Sequence, residues 1–168
     1  IYSSGGTGTV STMINGSQRV DGGTGTINVM QGGGQLVVNG GNGTGTIDIM
    51  SGGMQSVGLN GNGIINTMSN GNQNIIAGTG TVSTMISGEQ NILGGGTGTV
   101  STMSGGSQNI EDGSGIIDVM ISGEQNITSG AGTVIAMNSG GQSIYSATGT
   151  VSTMENGYQN IYSLSLIH

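Results

Sequence analysis

The side chains able to do chemistry in this 168-residue chain are few and scattered. There is one Arg (Arg19), no Lys, no Cys and a single His, His168, in the last position. The eight carboxylates are Asp21, Asp48, Glu89, Glu111, Asp112, Asp118, Glu124 and Glu155. General acid–base catalysis needs two such groups held together across a substrate. Two pairs that recur at one place in the sequence pattern are Asp48 with Asp118, each two residues before a Met, and Glu89 with Glu124, each just before a Gln. The first pair is four repeats apart, or roughly 19 Å at the ~4.8 Å stacking distance of parallel strands, and the second pair is two repeats apart. No catalytic residue is therefore expected, and the chain reads as a non-enzyme.

Other ligand chemistries meet the same shortage. Calcium-binding glycine-rich repeats need an Asp in every unit, and stretches such as Gly22-Gly23-Thr24-Gly25 have none. A phosphate cradle needs a Lys and a following helix. With Arg19 as the sole cation and a formal charge of −7, phosphate neutralisation fails and nucleic acid is not an expected partner. No apolar run approaches the ~18 residues of a membrane-spanning helix. No metal or cofactor is expected. The absence of Cys fits a chain that must stay unfolded during export.

What remains is order. Met13, Met30, Met50, Met68, Met85, Met103, Met120, Met137 and Met154 follow one another at intervals of 17, 20, 18, 17, 18, 17, 17 and 17 residues. Five residues after each stands a Gln: Gln18, Gln35, Gln55, Gln73, Gln90, Gln108, Gln125, Gln142 and Gln159. Gly lies three residues after and five before every one of these Met residues, and Val or Ile lies three before each Met and two after each Gln. The unit is G-[TI]-[VI]-x-x-M-x-x-G-x-Q-x-[VI] followed by a connector, such as Asn39-Gly40-Gly41-Asn42, that absorbs all length variation.

This pattern predicts two short β segments per unit, the first over Gly8 to Met13 and the second over Gln18 to Val20, with glycine at the bends. With 38 Gly and no Phe, Trp or Pro, the composition suits an elongated repeat fold in which each rung covers the apolar residues of the last. The fold class expected is all-β, a single-stranded parallel β-helix (β-solenoid) of about nine rungs of 17–20 residues over 1–162. Residues 163–168 (Ser163-Leu164-Ser165-Leu166-Ile167-His168) leave the repeat and read as a cap, the start of another segment or an appended remnant. The chain does not begin with Met, and Ile1-Tyr2-Ser3 parallels Ile144-Tyr145-Ser146, so a fragment of a longer array is expected.

Stacked rungs place like residues in ladders. Val10, Ile27, Ile47, Ile65, Val82, Val100, Ile117, Val134 and Val151 form one core ladder. The residues two after Gln, from Val20 to Ile161, form a second. Strict alternation from Val10 would turn Met13 outward, whereas a bend would turn it in. The Met ladder thus reads as a flexible core filler, as an exposed contact stripe, or as thioethers for a soft metal such as Cu(I). The Gln ladder reads either as stacked amides bonding from rung to rung or as ligand-binding groups. Six units carry T-G-T (Thr7/Thr9, Thr24/Thr26, Thr44/Thr46, Thr79/Thr81, Thr97/Thr99 and Thr148/Thr150), broken at Asn62/Ile64, Ser114/Ile116 and Ala131/Thr133. A flat Thr array is a surface that ice-binding solenoids use. Here its central Gly is expected at a bend, and the Thr read first as strand-opening β-branched residues.

The stretches Ile27-Asn28-Val29-Met30-Gln31-Gly32-Gly33-Gly34-Gln35-Leu36-Val37 and Ile47-Asp48-Ile49-Met50-Ser51-Gly52-Gly53-Met54-Gln55-Ser56-Val57 resemble, in phase, the T-x-V-x-x-G-G-x-Q-x-V-x-x-G-G passenger repeat of self-associating autotransporter adhesins, the family of the adhesin involved in diffuse adherence. The fixed Met after the family's Val position and the shorter unit depart from it. The resemblance implies a right-handed β-helix passenger, exported through an outer-membrane barrel to the bacterial cell surface or secreted. It also implies self-association or adhesion, with an identical passenger on neighbouring cells or a host surface as partner. Heptose added to Ser by a dedicated heptosyltransferase is implied as well; Ser11, Ser83, Ser101 and Ser152, two before Met, and Ser87, Ser122 and Ser139, two after it, recur in register as acceptors. The alternatives are an ice-binding solenoid and a passive stalk.

Overall fold

A computed structural model describes residues 2–38 and 42–162. Within them nineteen strands follow one another without a helix: β1 (Tyr2–Ser4), β2 (Thr7–Met13), β3 (Ser17–Asp21), and so on in alternation to β18 (Thr148–Met154) and β19 (Tyr158–Tyr162). The chain is a β-solenoid of about nine turns. The even-numbered strands form a nine-stranded parallel sheet (the long-strand sheet) and the odd-numbered ones a ten-stranded parallel sheet (the short-strand sheet). Each repeat thus makes one coil with a strand in each sheet. Pairing joins Met to Met, Gln to Gln and Gly to Gly from rung to rung, as in Met13↔Met30 and Gln18↔Gln35. Both strands of the unit begin one residue earlier than expected, and the second runs one residue further, to Asp21.

The expected match of Ile1-Tyr2-Ser3 to Ile144-Tyr145-Ser146 is shifted. Ser3, not Ile1, occupies the rung position of Val20 and hence of Ile144. Ser3 stands five residues before Gly8, as Val20 stands five before Gly25 and Ile144 five before Gly149, so the register counts from Ser3. Ile1, the connector residues Asn39, Gly40 and Gly41, and the 163–168 tail lie outside the described residues.

Core positions follow from a break in alternation. In β2, Gly8 and Val10 face in while Thr7, Thr9 and Ser11 face out, which strict period two would continue by turning Met13 outward. The rung-to-rung pairing instead passes over the residue two before Met: Val10↔Ile27 is followed by Thr12↔Val29, and Ser11 and Asn28 are left out. The same gap occurs in every pair of the long-strand sheet. One residue out of phase returns Met to the interior. The ladder methionines from Met30 to Met137 have no exposed surface, whereas Met54, outside the register, is exposed. The contact-stripe and soft-metal readings of the Met ladder are thereby corrected: thioethers packed against Val and Ile offer no open coordination face.

Apolar packing falls into two strips. Met and the first Val/Ile ladder form one; Ile75, Ile92, Ile110, Ile127 and Ile144 form the other. The first ladder is fully buried from Ile27 to Val134 and the second from Val20 to Ile127, with Ile144 at 2%. In the last described rung Met154 is 42% and Ile161 71% exposed.

Glycine has two separate jobs. The Gly three after each Met has φ between +83° and +147°, which turns the corner between the sheets. The Gly five before each Met was expected at a bend. It is instead an inward-facing strand residue (Gly25, Gly45 and Gly63 through Gly132 are buried) where the opposite sheet leaves no room for a Cβ. At the connector turn, four residues after Gln, the left-handed conformation is carried by Gly22 (φ 71°) but also by Ala77 (φ 58°) and Ser146 (φ 54°). A Cβ in that region is strained by about 1 kcal/mol. Ala77→Gly is therefore expected to raise stability by about 0.5–1 kcal/mol, read as an increased urea midpoint; a loss would show that the turn is held by something other than its backbone geometry.

Candidate functional site

The buried Gln column is the most organised polar feature. Each Gln from Gln35 to Gln159 donates from Nε2 to Oε1 of the Gln one rung before it, at 2.5–2.7 Å. Each of the nine also donates to the carbonyl of the inward Gly of its own coil, at 3.0–3.4 Å. Gln18 to Gln142 are 0–1% exposed. Among the described residues no buried side-chain nitrogen or oxygen lacks a partner. A buried amide without a partner costs about 1–3 kcal/mol, so the column removes a penalty at every rung and fixes the register. It is closed to outside ligands.

Function must therefore sit on the outer surface. On the long-strand sheet the two Thr of T-G-T both point outward and the Gly between them points in, so the expectation of a bend there is corrected. Along the strand they lie about 7 Å apart, with about 4.8 Å between rungs. The columns are interrupted by Ile64 and Ile116, both half-buried, and by Ala131. Of the Ser acceptor candidates, Ser11, Ser83, Ser152, Ser87, Ser122 and Ser139 are exposed and Ser101 is half-buried.

The short-strand sheet carries an outward Asn column that the motif survey overlooked. Asn91 donates to Asn74 at 2.9 Å, Asn109 to Asn91 at 2.9 Å and Asn126 to Asn109 at 3.1 Å. Its sequence signal was present: Asn follows Gln in five of nine units, the last being Asn160. Outward aromatics form a second overlooked group. Tyr145 and Tyr162 stack with centroids 4.6 Å apart and planes 8° from parallel. The Tyr158 hydroxyl donates to Glu124 Oε1 at 3.4 Å, reaching back two rungs.

Glu89 and Glu124 share a column with Ser107 between them. Asp48 accepts from Asn66 Nδ2 at 2.9 Å. Arg19 and Asp21 approach to 3.7 Å. Among the described residues no three His, Cys, Asp or Glu side chains gather at one point. The phenol of Tyr158 is held above its usual titration range, first by the Glu124 charge and then by partial desolvation and the hydrogen bond to Glu124. Glu124→Gln is expected to bring it back down, so the variant forms phenolate at lower pH than the parent in an ultraviolet alkaline titration. Unchanged curves would mean that the two groups do not meet in solution.

Comparison with protein-family models, with curated proteins and with solved structures returned no match for this chain.

Proposed function

We propose that the chain is a non-enzymatic adhesive segment of a bacterial surface or secreted protein of the autotransporter type, acting by rod-to-rod association. The observation that carries this reading is the repeated and mostly uncharged polar chemistry of the two outer faces. Thr and Ser columns run along one sheet and a hydrogen-bonded Asn column along the other, each repeated at the rung spacing. An identical rod laid alongside meets donors and acceptors at the same period. Many weak contacts then add through effective concentration. The repeat's resemblance to autotransporter passengers supports export, and the exposed Ser at fixed register supports heptosylation by a heptosyltransferase.

The test is a settling assay on bacteria displaying the array, with a repeat-scrambled array as control. Clumping that is lost on scrambling supports self-association. Its absence from the displayed native array overturns the reading and leaves a passive stalk.

A second reading has one specific observation in its favour. The outward Thr pairs lie on a regular strand rather than at a bend, as an ice-binding surface would require. Thermal hysteresis of the purified chain separates the two: a freezing-point gap would move the function to the long-strand sheet, and none would remove ice binding.

A further inference from the structure

We propose that the outer surface at the last two short strands, β17 (Gly141–Tyr145) and β19, binds a short neutral oligosaccharide, with the tyrosine rings as stacking platforms and Glu124 as hydrogen-bond acceptor. Its tyrosines and Glu124 play no part in the rod-to-rod reading, and the site holds whether or not rods associate.

In the column just before Gln, a position the repeat leaves variable, Glu124 is followed by Gly141 and then by Tyr158, the one aromatic residue of that column. Gly141 is where the ring of Tyr158 lies: a Cβ there would run into its Cζ, Cε2 and hydroxyl oxygen. The ring therefore folds back along the column, and its hydroxyl meets the Glu124 carboxylate. Tyr158, Ser122, Ser139 and Glu124, with corner glycines as floor, line an open depression of about 390 Å³. Four residues along β19, about 13 Å away at the strand rise, the Tyr145–Tyr162 stack forms a second platform, with Asn160 between the two on the same face. Tyr145, Tyr158 and Tyr162 are 43%, 45% and 48% exposed.

The chemistry of the patch selects its ligand. A pyranose ring has an apolar C–H face that stacks on an aromatic ring and an equatorial fringe of hydroxyls. Those hydroxyls need a carboxylate, hydroxyl or amide partner, and Glu124, Ser122, Ser139 and Asn160 supply all three kinds. Few placed polar groups around an apolar surface are the usual composition of a small-molecule site. Among the described residues an anionic ligand finds no cation here, since Arg19 lies in the first repeat. Two platforms about 13 Å apart call for a linear chain of several sugars rather than a single one. The molecule carries its own control: a second depression of about 390 Å³ beside Glu89, Asn70, Ser87 and Ser107 repeats the corner without any aromatic ring.

The 168-residue chain has no Trp, so tyrosine emission reports on the four Tyr directly. Titration with cellotriose, maltotriose and chitotriose, followed by emission and calorimetry, is expected to saturate with at least one of them. Tyr158→Ala and Tyr162→Ala should each weaken that binding by about tenfold or more, and Glu124→Gln should weaken it too. Glu89→Gln should leave it unchanged. All four side chains are outside the core, so circular dichroism should show intact variants. Failure of all three trisaccharides to saturate, or binding that survives Tyr158→Ala, overturns the proposal. So does binding abolished by Glu89→Gln.

Discussion

Gln90→Leu should destabilise the rod by about 3–6 kcal/mol, although leucine is close to glutamine in size and more apolar. Four partners lose a bond. Gln73 Oε1 loses its donor at 2.7 Å, the Gly80 and Thr99 carbonyls each lose one at 3.3 Å, and Gln108 Nε2 loses its acceptor at 2.6 Å, keeping only the longer contacts to the Gly98 and Ile116 carbonyls. Each buried group left without its partner costs about 1–3 kcal/mol, partly offset by the added apolar contact. Urea denaturation followed by circular dichroism measures the sum, and a change below about 1 kcal/mol would show that backbone pairing alone sets the register.

Gln90→Glu adds a test with a sign. Burial disfavours the carboxylate, so its folded pKa lies above the unfolded value of about 4.3. The acid form retains an O–H that can donate to Gln73. Stability of this variant relative to the parent is therefore greatest below about pH 4 and falls as pH rises through the folded pKa. A parallel pH profile for parent and variant would mean that the glutamate has left the core.

Gly98→Ala is expected to cost about 2–3 kcal/mol, the upper part of the usual range for overpacking. An added Cβ would sit 2.5 Å from Ile92 Cδ1 and 2.7 Å from Gln90 Oε1. Neither can retreat freely, because Ile92 is fully buried and Gln90 is bonded on both sides. Ile92→Val removes the Cδ1 atom and should recover part of the loss in the double variant, a coupling that independent sites do not show. Gly34→Ala is the matched control. It lies in a strand without positive φ, its nearest neighbour is 3.7 Å away, and it should be neutral or slightly stabilising. Equal losses at Gly98 and Gly34 would mean that backbone entropy, not the facing sheet, explains the glycine.

The coil, its two strands and the Val/Ile, Met and Gln ladders were legible in the sequence because each rung repeats the requirement on one position. A Gln found nine times in register has a column as its simplest cause. The direction of Met was not legible by alternation, since the count from Val10 gives the wrong face. The skipped pairing at Ser11 is a backbone event with no residue of its own: that position holds Ser, Asn, Asp and Ile in different units. Variety there against constancy at Met was the available clue, because outward positions vary and crowded ones do not. The inward Gly misled for a related reason. Glycine suggests a turn, but Gly8 stands two residues from Val10 and so shares its face, and its small size answers to residues on the other sheet. The Tyr158–Glu124 contact and the tyrosine stack depend on where adjacent coils place outward side chains, which the motif alone does not express.

The sameness of the columns has an effect on how the rod can go wrong. If one entire repeat is extruded as a loop, the coil before it can pair with the coil after it. Gln still meets Gln, Met meets Met, and the inward Gly still faces an amide. Such a mis-threaded form loses one rung and closes one loop of about 17 residues, whose entropic cost grows only slowly with length. Every interior coil can be skipped in this way, so the native threading competes with a family of neighbours of similar construction. Only the connectors of odd length and the outward residues that pair across particular coils, such as Asp48 with Asn66 and Glu124 with Tyr158, distinguish the correct thread from its shortened copies.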